Sequence, residues 1–314
     1  MSLVLSIKGW DPEAWERRFR ALDPDRLLQG VGDAGLDRAA VEYGVAWFSK
    51  PGFFATCPNL KAIFSLGAGV DHILKDPALP DVPVVRIVDP NLTMRMTEWV
   101  TLQVLLHHRQ QRLLDRAQAN GEWLSPDQCS ADEMRVGILG LGNLGRDCAE
   151  VLARIGFKVA GWSQSKKQIA GLESFAGADE LDAFLARTDI LVCLLPLTDE
   201  TRGILNYALF SKLAKDGPLG APVVINAGRG GEQVEDDIIR ALDDGTLHAV
   251  SLDVFQTEPL PSDNPLWRHP GVVATPHLAA ESHPDYMSRN IIDQIHAFER
   301  GEPLKNRVDR ATGY

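Results

Sequence analysis

Short apolar runs alternate with amphipathic, helix-like runs along most of the chain, and this alternation restricts the fold more than any other feature. After residue 134 the alternation is regular, and strands are predicted at 135–139, 158–162, 190–194, 222–226, 249–254 and 272–274. Helices are predicted between them, at 144–155, 181–187, 207–213 and 234–243. Apolar strands separated by helices form parallel sheets that are covered on both faces. The sequence therefore predicts an α/β fold of doubly wound parallel sheets.

The first third of the chain carries a second, less regular series of the same kind. Its strands are predicted at 3–7, 45–48, 60–66 and 84–88, and a helix is predicted to begin after Asp11 and run through Leu22. One long helix is predicted over 93–120, followed by a polar linker over 121–132. A last helix over 289–300 is followed by Gly301, a residue typical of helix ends. This series predicts a second, smaller sheet.

Composition excludes several classes of protein. Of the 314 residues, 45% are hydrophobic and 24% charged, which is typical of a globular chain. The net charge of −11 repels phosphate backbones, so no nucleic-acid partner is expected. No apolar run is long enough for a signal peptide or a membrane span. The four cysteines have no metal-ligand spacing, and we expect a soluble protein of the reducing cytoplasm without a metal site.

A glycine motif follows the first strand of the regular series. Gly140, Gly142 and Gly145 stand between this strand and an amphipathic helix, which is the setting of a dinucleotide-binding turn. The first glycine forms the tight turn, the second lets the pyrophosphate approach the backbone, and the third lets helix and strand pack closely. The N-terminus of the helix then faces the anion. The motif predicts a nicotinamide dinucleotide, with a purely structural turn as the alternative.

The end of the next strand indicates which dinucleotide is bound. An NAD-binding chain carries an Asp or Glu there, which accepts hydrogen bonds from the ribose 2′-hydroxyl. Here the segment carries no carboxylate and reads Trp162, Ser163, Gln164, Ser165, Lys166. Hydroxyl, amide and ammonium groups suit a 2′-phosphate. NADPH is therefore the predicted cofactor and NADH the less favoured one, with an ordinary solvated loop as the alternative.

Three candidate catalytic residues follow three late strands. Arg229, Glu258 and His277 come after the strands at 222–226, 249–254 and 272–274. Ligands of open α/β sheets bind beyond the carboxyl ends of the strands, so we expect these side chains to converge. Arginine can hold a carboxylate through two parallel hydrogen bonds. Histidine can exchange a proton near neutral pH, and a carboxylate behind it would orient the ring.

These motifs resemble those of the D-isomer-specific 2-hydroxyacid dehydrogenases. The resemblance covers essentially the whole chain and lies in the segments 65–71, 140–145, 226–230, 252–259 and 275–277. Within the family, the chain is most similar to members that reduce glyoxylate and hydroxypyruvate, including its ending at 308–314. The resemblance implies NADPH-dependent reduction of small 2-oxo acids and a homodimer paired largely through the cofactor domain.

The resemblance also implies a discontinuous domain layout. A Rossmann cofactor domain at 96–279 is expected to be inserted into a flavodoxin-like substrate domain made of 1–95 and 280–314. A second strand-to-Gly-x-Gly turn, at 67–69, fits two sheets that each end in a backbone anion site.

The family's site residues are carried over position by position. Arg229 would bind the substrate carboxylate and carbonyl, and the His277–Glu258 pair would supply the proton. Further residues would contact the cofactor: Asn143, Leu144, Leu195, Pro196, Ala227, Gly228 and Asp253, together with Arg229 and His277. Ala68, Gly69 and Trp47 would contact the substrate, although Trp47 could equally be a core aromatic.

Other interpretations stay open at this point. The chain could be a binding module that senses nicotinamide nucleotides without turnover, or an NAD-dependent dehydrogenase with another substrate range. Arg95 is a weaker candidate for a second cation at the substrate. His107 and His108 stand among polar residues of the predicted long helix and are expected on a solvated face.

Overall fold

The structure is a computed structural model that describes residues 2–310. It divides into two compact units. Unit 1 contains the chain up to Leu92 and from Ser282 onward, and unit 2 is Thr93–Glu281. Residues 311–314, which belong to the ending singled out in the sequence, lie outside the described residues.

Unit 1 is built around a parallel five-stranded sheet. Its elements are, in chain order, β1 (Ser2–Ile7), α1 (Pro12–Leu22), β2 (Leu27–Gly30), β3 (Val41–Trp47), β4 (Ala62–Ser65), α2 (Asp71–Leu74) and β5 (Val84–Val85). The strand order is β2-β1-β3-β4-β5. This is the flavodoxin-like order that was predicted for the smaller sheet. The edge strand β2 was not predicted, because it is only four residues long and follows a helix closely.

The predicted long helix is in fact two helices. They are α3 (Pro90–His108) and α4 (Gln111–Ala119), separated by Gln110 with a left-handed φ of 53°. Non-glycine residues enter this region at an energetic cost, so apolar spacing alone gives no sign of such a break. The prediction of one helix over 93–120 was therefore wrong at this residue.

Unit 2 is built around a parallel seven-stranded sheet. Its elements are, in chain order, β6 (Arg135–Leu139), α5 (Asn143–Ile155), β7 (Lys158–Ser163), β8 (Glu173–Ala176), α6 (Gly177–Ala186), β9 (Ile190–Cys193), α7 (Tyr207–Phe210), β10 (Val223–Asn226), α8 (Glu235–Asp243), β11 (Ala249–Leu252) and β12 (Val272–Ala274). The order is β12-β11-β10-β9-β6-β7-β8. Strands β6 to β8 therefore follow one another toward one edge of the sheet, and strands β9 to β12 follow one another toward the other edge. The predicted pair of doubly wound parallel sheets is confirmed. Strand β8 was not predicted, because it lies at the sheet edge and has no fully buried residue.

The chain closes with α9 (Pro284–Glu299), which belongs to unit 1. It begins five residues before the predicted start, because His283 caps its first turn and Pro284 stands at a position that suits proline. Its buried face, with Ile291, Ile292 and Ile295, packs into the core below the unit 1 sheet. Within residues 2–310, no helix is long and apolar enough to cross a membrane.

His107 and His108 are buried, which corrects their predicted place on a solvated face. The Nε2 atom of His107 lies 2.8 Å from Oγ of Ser251 on β11, and Ser251 donates to Oε1 of Gln103 at 2.9 Å. Burial, with smaller contributions from the charges of His248 and Arg112, lowers the pKa of His107 to about 3. The end of α3 is thus fixed against β11 by a chain of neutral hydrogen bonds.

This burial makes folding stability depend on pH. The unfolded chain binds a proton at His107 below about pH 6.5, whereas the folded chain does so only near pH 3. The contribution of neutral His107 to stability is therefore complete above pH 6.5 and is lost as the pH falls. Between pH 6.5 and 4.5 we expect the free energy of unfolding to decrease by about 2–3 kcal/mol because of this residue.

Urea unfolding of wild type and His107→Gln at several pH values tests this prediction, because the variant should show a shallower loss. His283→Asn is the matched control, since it removes an exposed histidine and keeps a residue that can cap α9. A wild-type profile parallel to that of His107→Gln would contradict the assignment.

Candidate active site

Three loops follow neighbouring strands at the carboxyl edge of the unit 2 sheet. Strands β10, β11 and β12 pair in parallel and in register, so the residues after Asn226, Leu252 and Ala274 emerge at the same edge. These loops carry Arg229, Glu258 and His277. The pairing of these strands therefore brings together the loops that carry the three candidate catalytic residues.

The arginine loop is fixed by buried polar side chains. The amide of Asn226 donates to Oε1 of Gln233 at 2.9 Å and accepts from N–H of Gly228 at 3.0 Å. The buried carboxylate of Glu232 accepts from N–H of Arg229 at 3.0 Å. Nη1 of Arg229 donates to the carbonyl of Gly228 at 2.7 Å. The backbone of Arg229 is thus fixed by a buried carboxylate, whereas its side chain is only half-buried.

Close backbone packing joins the arginine loop to the glutamate loop. A Cβ atom at Gly230 would lie 1.8 Å from the carbonyl oxygen of Phe255, a distance that no side chain permits. The side-chain amide of Gln233 also donates to the carbonyl of Val254 at 3.0 Å. Neither Asn226 nor Gln233 was selected from the sequence, although a polar residue at the end of a buried strand was a usable signal for Asn226.

Asp253 holds the histidine loop. Its carboxylate is 2% exposed and accepts from Thr275 Oγ1 and from N–H of Leu278 and Ala279. Its carbonyl accepts from N–H of His277 at 2.8 Å. His277 itself has a φ of 53°, a conformation that a non-glycine residue keeps only when its surroundings impose it. Asp253 therefore holds the histidine loop, and its expected place beside the nicotinamide stays a prediction.

His277 and Glu258 form a hydrogen-bonded pair. Nδ1 of His277 lies 2.7 Å from Oε2 of Glu258, and the other carboxylate oxygen accepts from N–H of Phe255 at 3.0 Å. Burial by itself would raise the pKa of Glu258, but the hydrogen bonds from His277 and Phe255 and the charge of Arg229 hold it below its usual value. Glu258 is thus an ionised partner for the ring, and Nε2 is left for proton exchange with a ligand.

The glycine motif of unit 2 forms a cradle of the kind that a dinucleotide requires. A Cβ at Gly145 would lie 1.9 Å from the carbonyl oxygen of Gly140, and Gly140 has a φ of 102°. A Cβ at Gly142, in contrast, would meet no atom within 4 Å. Gly142 is the N-cap of α5 and has no side chain, and the first turn carries no acidic residue. Backbone N–H groups of this turn are therefore available to an anion.

The other predicted cofactor residues line the same edge. Asn143 and Leu144 stand in the first turn of α5, the former exposed and the latter half-buried. Leu195 and Ala227 are buried, and a Cβ at Gly228 would lie 2.9 Å from the carbonyl of Leu195. The carbonyl of Pro196 accepts from Thr201 Oγ1 at 2.7 Å. The residues after β9 and β10 therefore pack together, and they offer a cofactor mainly backbone atoms.

The segment after β7 has two features that its own sequence did not predict. The indole of Trp162 is a core side chain, 6% exposed, and donates to the carbonyl of Gly177 at 2.9 Å. Carboxylates also face the segment. Lys166 lies 2.9 Å from Glu180, and the amide of Gln164 donates to Glu200 at 3.3 Å. The segment itself carries no carboxylate, and both acids come from later in the chain. Its contact with a 2′-phosphate stays a prediction.

The predicted substrate residues of unit 1 lie at the carboxyl edge of its own sheet. Trp47 ends β3 and is half-buried, and Ala68 and Gly69 follow β4. The buried hydroxyl of Ser65 accepts from N–H of Gly67 and donates to the carbonyl of Gly69, both at 3.1 Å. This loop is thus closed by one side chain. Arg95, the weaker candidate, has an exposed side chain on α3.

Metal chemistry has no visible ligand set in the part of the chain that the structure describes. No group of three or more His, Cys, Asp or Glu side chains is placed there to hold an ion. The cysteines at 57, 129, 148 and 193 are free thiols.

The chain belongs to the D-isomer specific 2-hydroxyacid dehydrogenase family, and it is an oxidoreductase of that family. The family's NAD binding domain matches residues 101–279. The match covers the glycine cradle and all three catalytic candidates. The family that the sequence motifs indicated is therefore confirmed.

Individual relatives resemble the chain over its whole length. Glyoxylate/hydroxypyruvate reductase A of Serratia proteamaculans (strain 568) is 42% identical, with both chains covered completely. A solved NADPH-dependent glyoxylate/hydroxypyruvate reductase from Sinorhizobium meliloti, in complex with NADP and sulfate, is 48% identical with a TM-score of 0.93 and complete coverage of both chains. A probable 2-hydroxyacid dehydrogenase from Rhizobium etli, in complex with NADP, HEPES and L(+)-tartaric acid, is 48% identical with a TM-score of 0.95, covering 100% of this chain and 99% of that one.

Proposed function

We propose that this chain is an NADPH-dependent reductase of small 2-oxo acids, with glyoxylate and hydroxypyruvate as favoured substrates and D-2-hydroxy acids as products. The observation that carries the proposal is the 2.7 Å pair of His277 and Glu258 on the loops beside Arg229. The names of the relatives from Serratia and Sinorhizobium support the substrate class.

The proposed chemistry divides among three side chains. Arg229 binds the carboxylate of the 2-oxo acid through its guanidinium, which matches a carboxylate in shape and charge. His277 donates the proton on Nε2 to the carbonyl oxygen, while Glu258 accepts a hydrogen bond from Nδ1 and stabilises the charged ring. Bound NADPH supplies the hydride that the carbonyl carbon receives. The product is then the 2-hydroxy acid, and His277 regains its proton from solvent.

The cofactor part of the proposal is supported by the glycine cradle and by relatives solved with NADP or NADPH. The backbone of residues 140–145 would hold the pyrophosphate, and Ser163, Ser165 and Lys166 would meet the 2′-phosphate. The substrate domain is proposed to be unit 1, where Ala68 and Gly69 are the residues proposed to contact the substrate through backbone N–H groups. A homodimer and a cytoplasmic location stay predictions.

An assay of NADPH oxidation with a panel of 2-oxo acids tests the proposal against the alternative of a nucleotide-sensing module. Turnover of glyoxylate or hydroxypyruvate is the expected result. Binding of NADPH without turnover of any 2-oxo acid would favour the sensor instead.

The acid–base pair gives the first prediction from this proposal. Because reduction consumes a proton, His277→Ala should bind NADPH normally while kcat falls by about 10²–10⁴-fold. Glu258→Gln removes the negative charge that stabilises the protonated ring, so the fall in activity toward high pH should begin at lower pH. Stopped-flow rates between pH 5 and 10 measure this. A profile for Glu258→Gln that overlies the wild type would exclude the pair as the proton source.

The second prediction concerns the choice between NADPH and NADH. One or two charged hydrogen bonds to the 2′-phosphate, each worth about 1.5–3 kcal/mol, give a preference for NADPH of about 10- to 1,000-fold or larger. Ser163→Asp places a carboxylate at the end of β7, so the ratio of kcat/KM for NADPH over NADH should shrink or invert. Glu180→Gln is the matched variant, because it frees Lys166 from its ion pair and should lower KM for NADPH but not for NADH.

Equal use of both cofactors by the wild type would contradict the interpretation of this loop. The reaction class would be unaffected by that result.

A further inference from the structure

The glutamate loop is attached to the arginine loop by one buried amide. Gln233 is 0% exposed, and its Nε2 donates to the carbonyl of Val254 at 3.0 Å. Its Oε1 accepts from the side-chain amide of Asn226 at 2.9 Å, and its own carbonyl accepts from Nε2 of Gln256 at 2.7 Å. Because a buried amide without partners is costly, these bonds fix the position of one loop relative to the other.

A carboxylate at the start of a helix makes the second attachment. Glu235 is the first residue of α8, and its Oε1 accepts from N–H of Gln256 at 2.8 Å. Its Oε2 accepts from the side-chain amide of Asn264 at 3.3 Å, farther along the same loop. Glu235 therefore holds the glutamate loop on both sides of Glu258.

Glu258 takes its position from a residue between these attachments. Phe255 lies between the two attached residues, and its N–H donates to Oε1 of Glu258 at 3.0 Å. The carbonyl of Phe255 lies against Gly230, where only glycine leaves enough room. Oε2 of Glu258 is 2.7 Å from Nδ1 of His277. A shift of Phe255 would lengthen both hydrogen bonds of this carboxylate, and hydrogen bonds weaken as their geometry departs from the optimum.

We propose that Gln233 and Glu235 are positioning residues, which act through residues 254–256 to hold Glu258 against His277. The substrate's anchor and its proton donor thereby belong to one rigid frame, because Gln233 is itself part of the arginine loop. The inference rests on the proposed function and deepens it, because it assigns the geometry of the proton donor to two side chains beyond the three candidate catalytic ones.

An effect of position can be separated from an effect of charge at this pair. Two other charged groups of unit 2 act on it, since the charge of Arg229 favours ionised Glu258 and Asp253 fixes the loop around His277. Both stay in place when Glu235 is changed. A glutamine at this position loses the charge but keeps an oxygen that can accept the same backbone hydrogen bond, whereas an alanine loses both.

The test is the pH dependence of glyoxylate reduction by the full-length enzyme at saturating NADPH. Loss of the fixed carboxylate destabilises the protonated ring, so the fall in kcat toward high pH should begin at lower pH in Glu235→Ala. At a pH above the fall we expect a loss of about 2- to 10-fold relative to the wild type, the range of one hydrogen bond, and little loss below it. KM for glyoxylate should change less, because Asn226 and Glu232 still hold the arginine loop.

Three further variants serve as rescue, control and second test. Glu235→Gln should restore most of the wild-type profile. Asp236→Ala removes an exposed acid from the same first turn of α8 and should leave the profile unchanged. Gln233→Met keeps the volume of the side chain, removes both amide bonds and should shift the profile at least as far as Glu235→Ala. Because Glu235 is only half-buried, its variants give the result even if Gln233→Met does not fold.

A Glu235→Ala profile of wild-type shape, whether unchanged or slowed equally at every pH, would overturn the inference and leave the proposed function intact. The same shift in Glu235→Gln or in Asp236→Ala would also overturn it, since loss of charge alone would explain the result. A wild type that reduces no 2-oxo acid would overturn the proposed function and this inference with it.

Discussion

The buried carboxylate of Asp253 is the interaction on which the candidate active site depends. It accepts hydrogen bonds from Thr275, Leu278 and Ala279, and its own carbonyl accepts one from His277. A buried carboxylate without such donors would be strongly unfavourable, so the loop and the charge require each other. Because the loop is fixed on both sides of His277, the ring is brought to Glu258 in a backbone conformation that it would otherwise avoid.

The remaining parts of the site follow from the order of the sheet. Strands β10, β11 and β12 are adjacent and parallel, so the arginine, glutamate and histidine loops lie side by side. The strand order changes sides between β6 and β9, next to the glycine cradle. Open α/β sheets bind their ligands at such a point, outside the carboxyl ends of the strands. Close approaches that only glycine allows pack α5 against the turn at Gly140, at Gly145, and the arginine loop against the glutamate loop, at Gly230. The geometry of the candidate site is thus a product of strand pairing and backbone contact.

The sequence was sufficient for the parts of the molecule that local pattern determines. The strand–helix alternation predicted both sheets, and the glycine spacing predicted the cradle at Gly140. Features that depend on distant partners could not be obtained in this way. The polar neighbours of His107 concealed its burial against Ser251, which lies 144 residues away. Glu180 reaches Lys166 only because α6 folds back to the end of β7. The break at Gln110 is a backbone conformation with no apolar pattern of its own.

Reduction of glyoxylate by Asp253→Asn at saturating NADPH tests the account most directly. The NH2 group of an asparagine side chain cannot accept hydrogen bonds from the O–H and N–H donors of the histidine loop. His277 should therefore lose its fixed position. A displacement of about 1 Å at a reacting group can cost about 100-fold in rate. We therefore predict a fall in kcat of that order with an unchanged dissociation constant for NADPH. A kcat equal to that of the wild type would contradict the claim that Asp253 positions His277, the proposed proton donor.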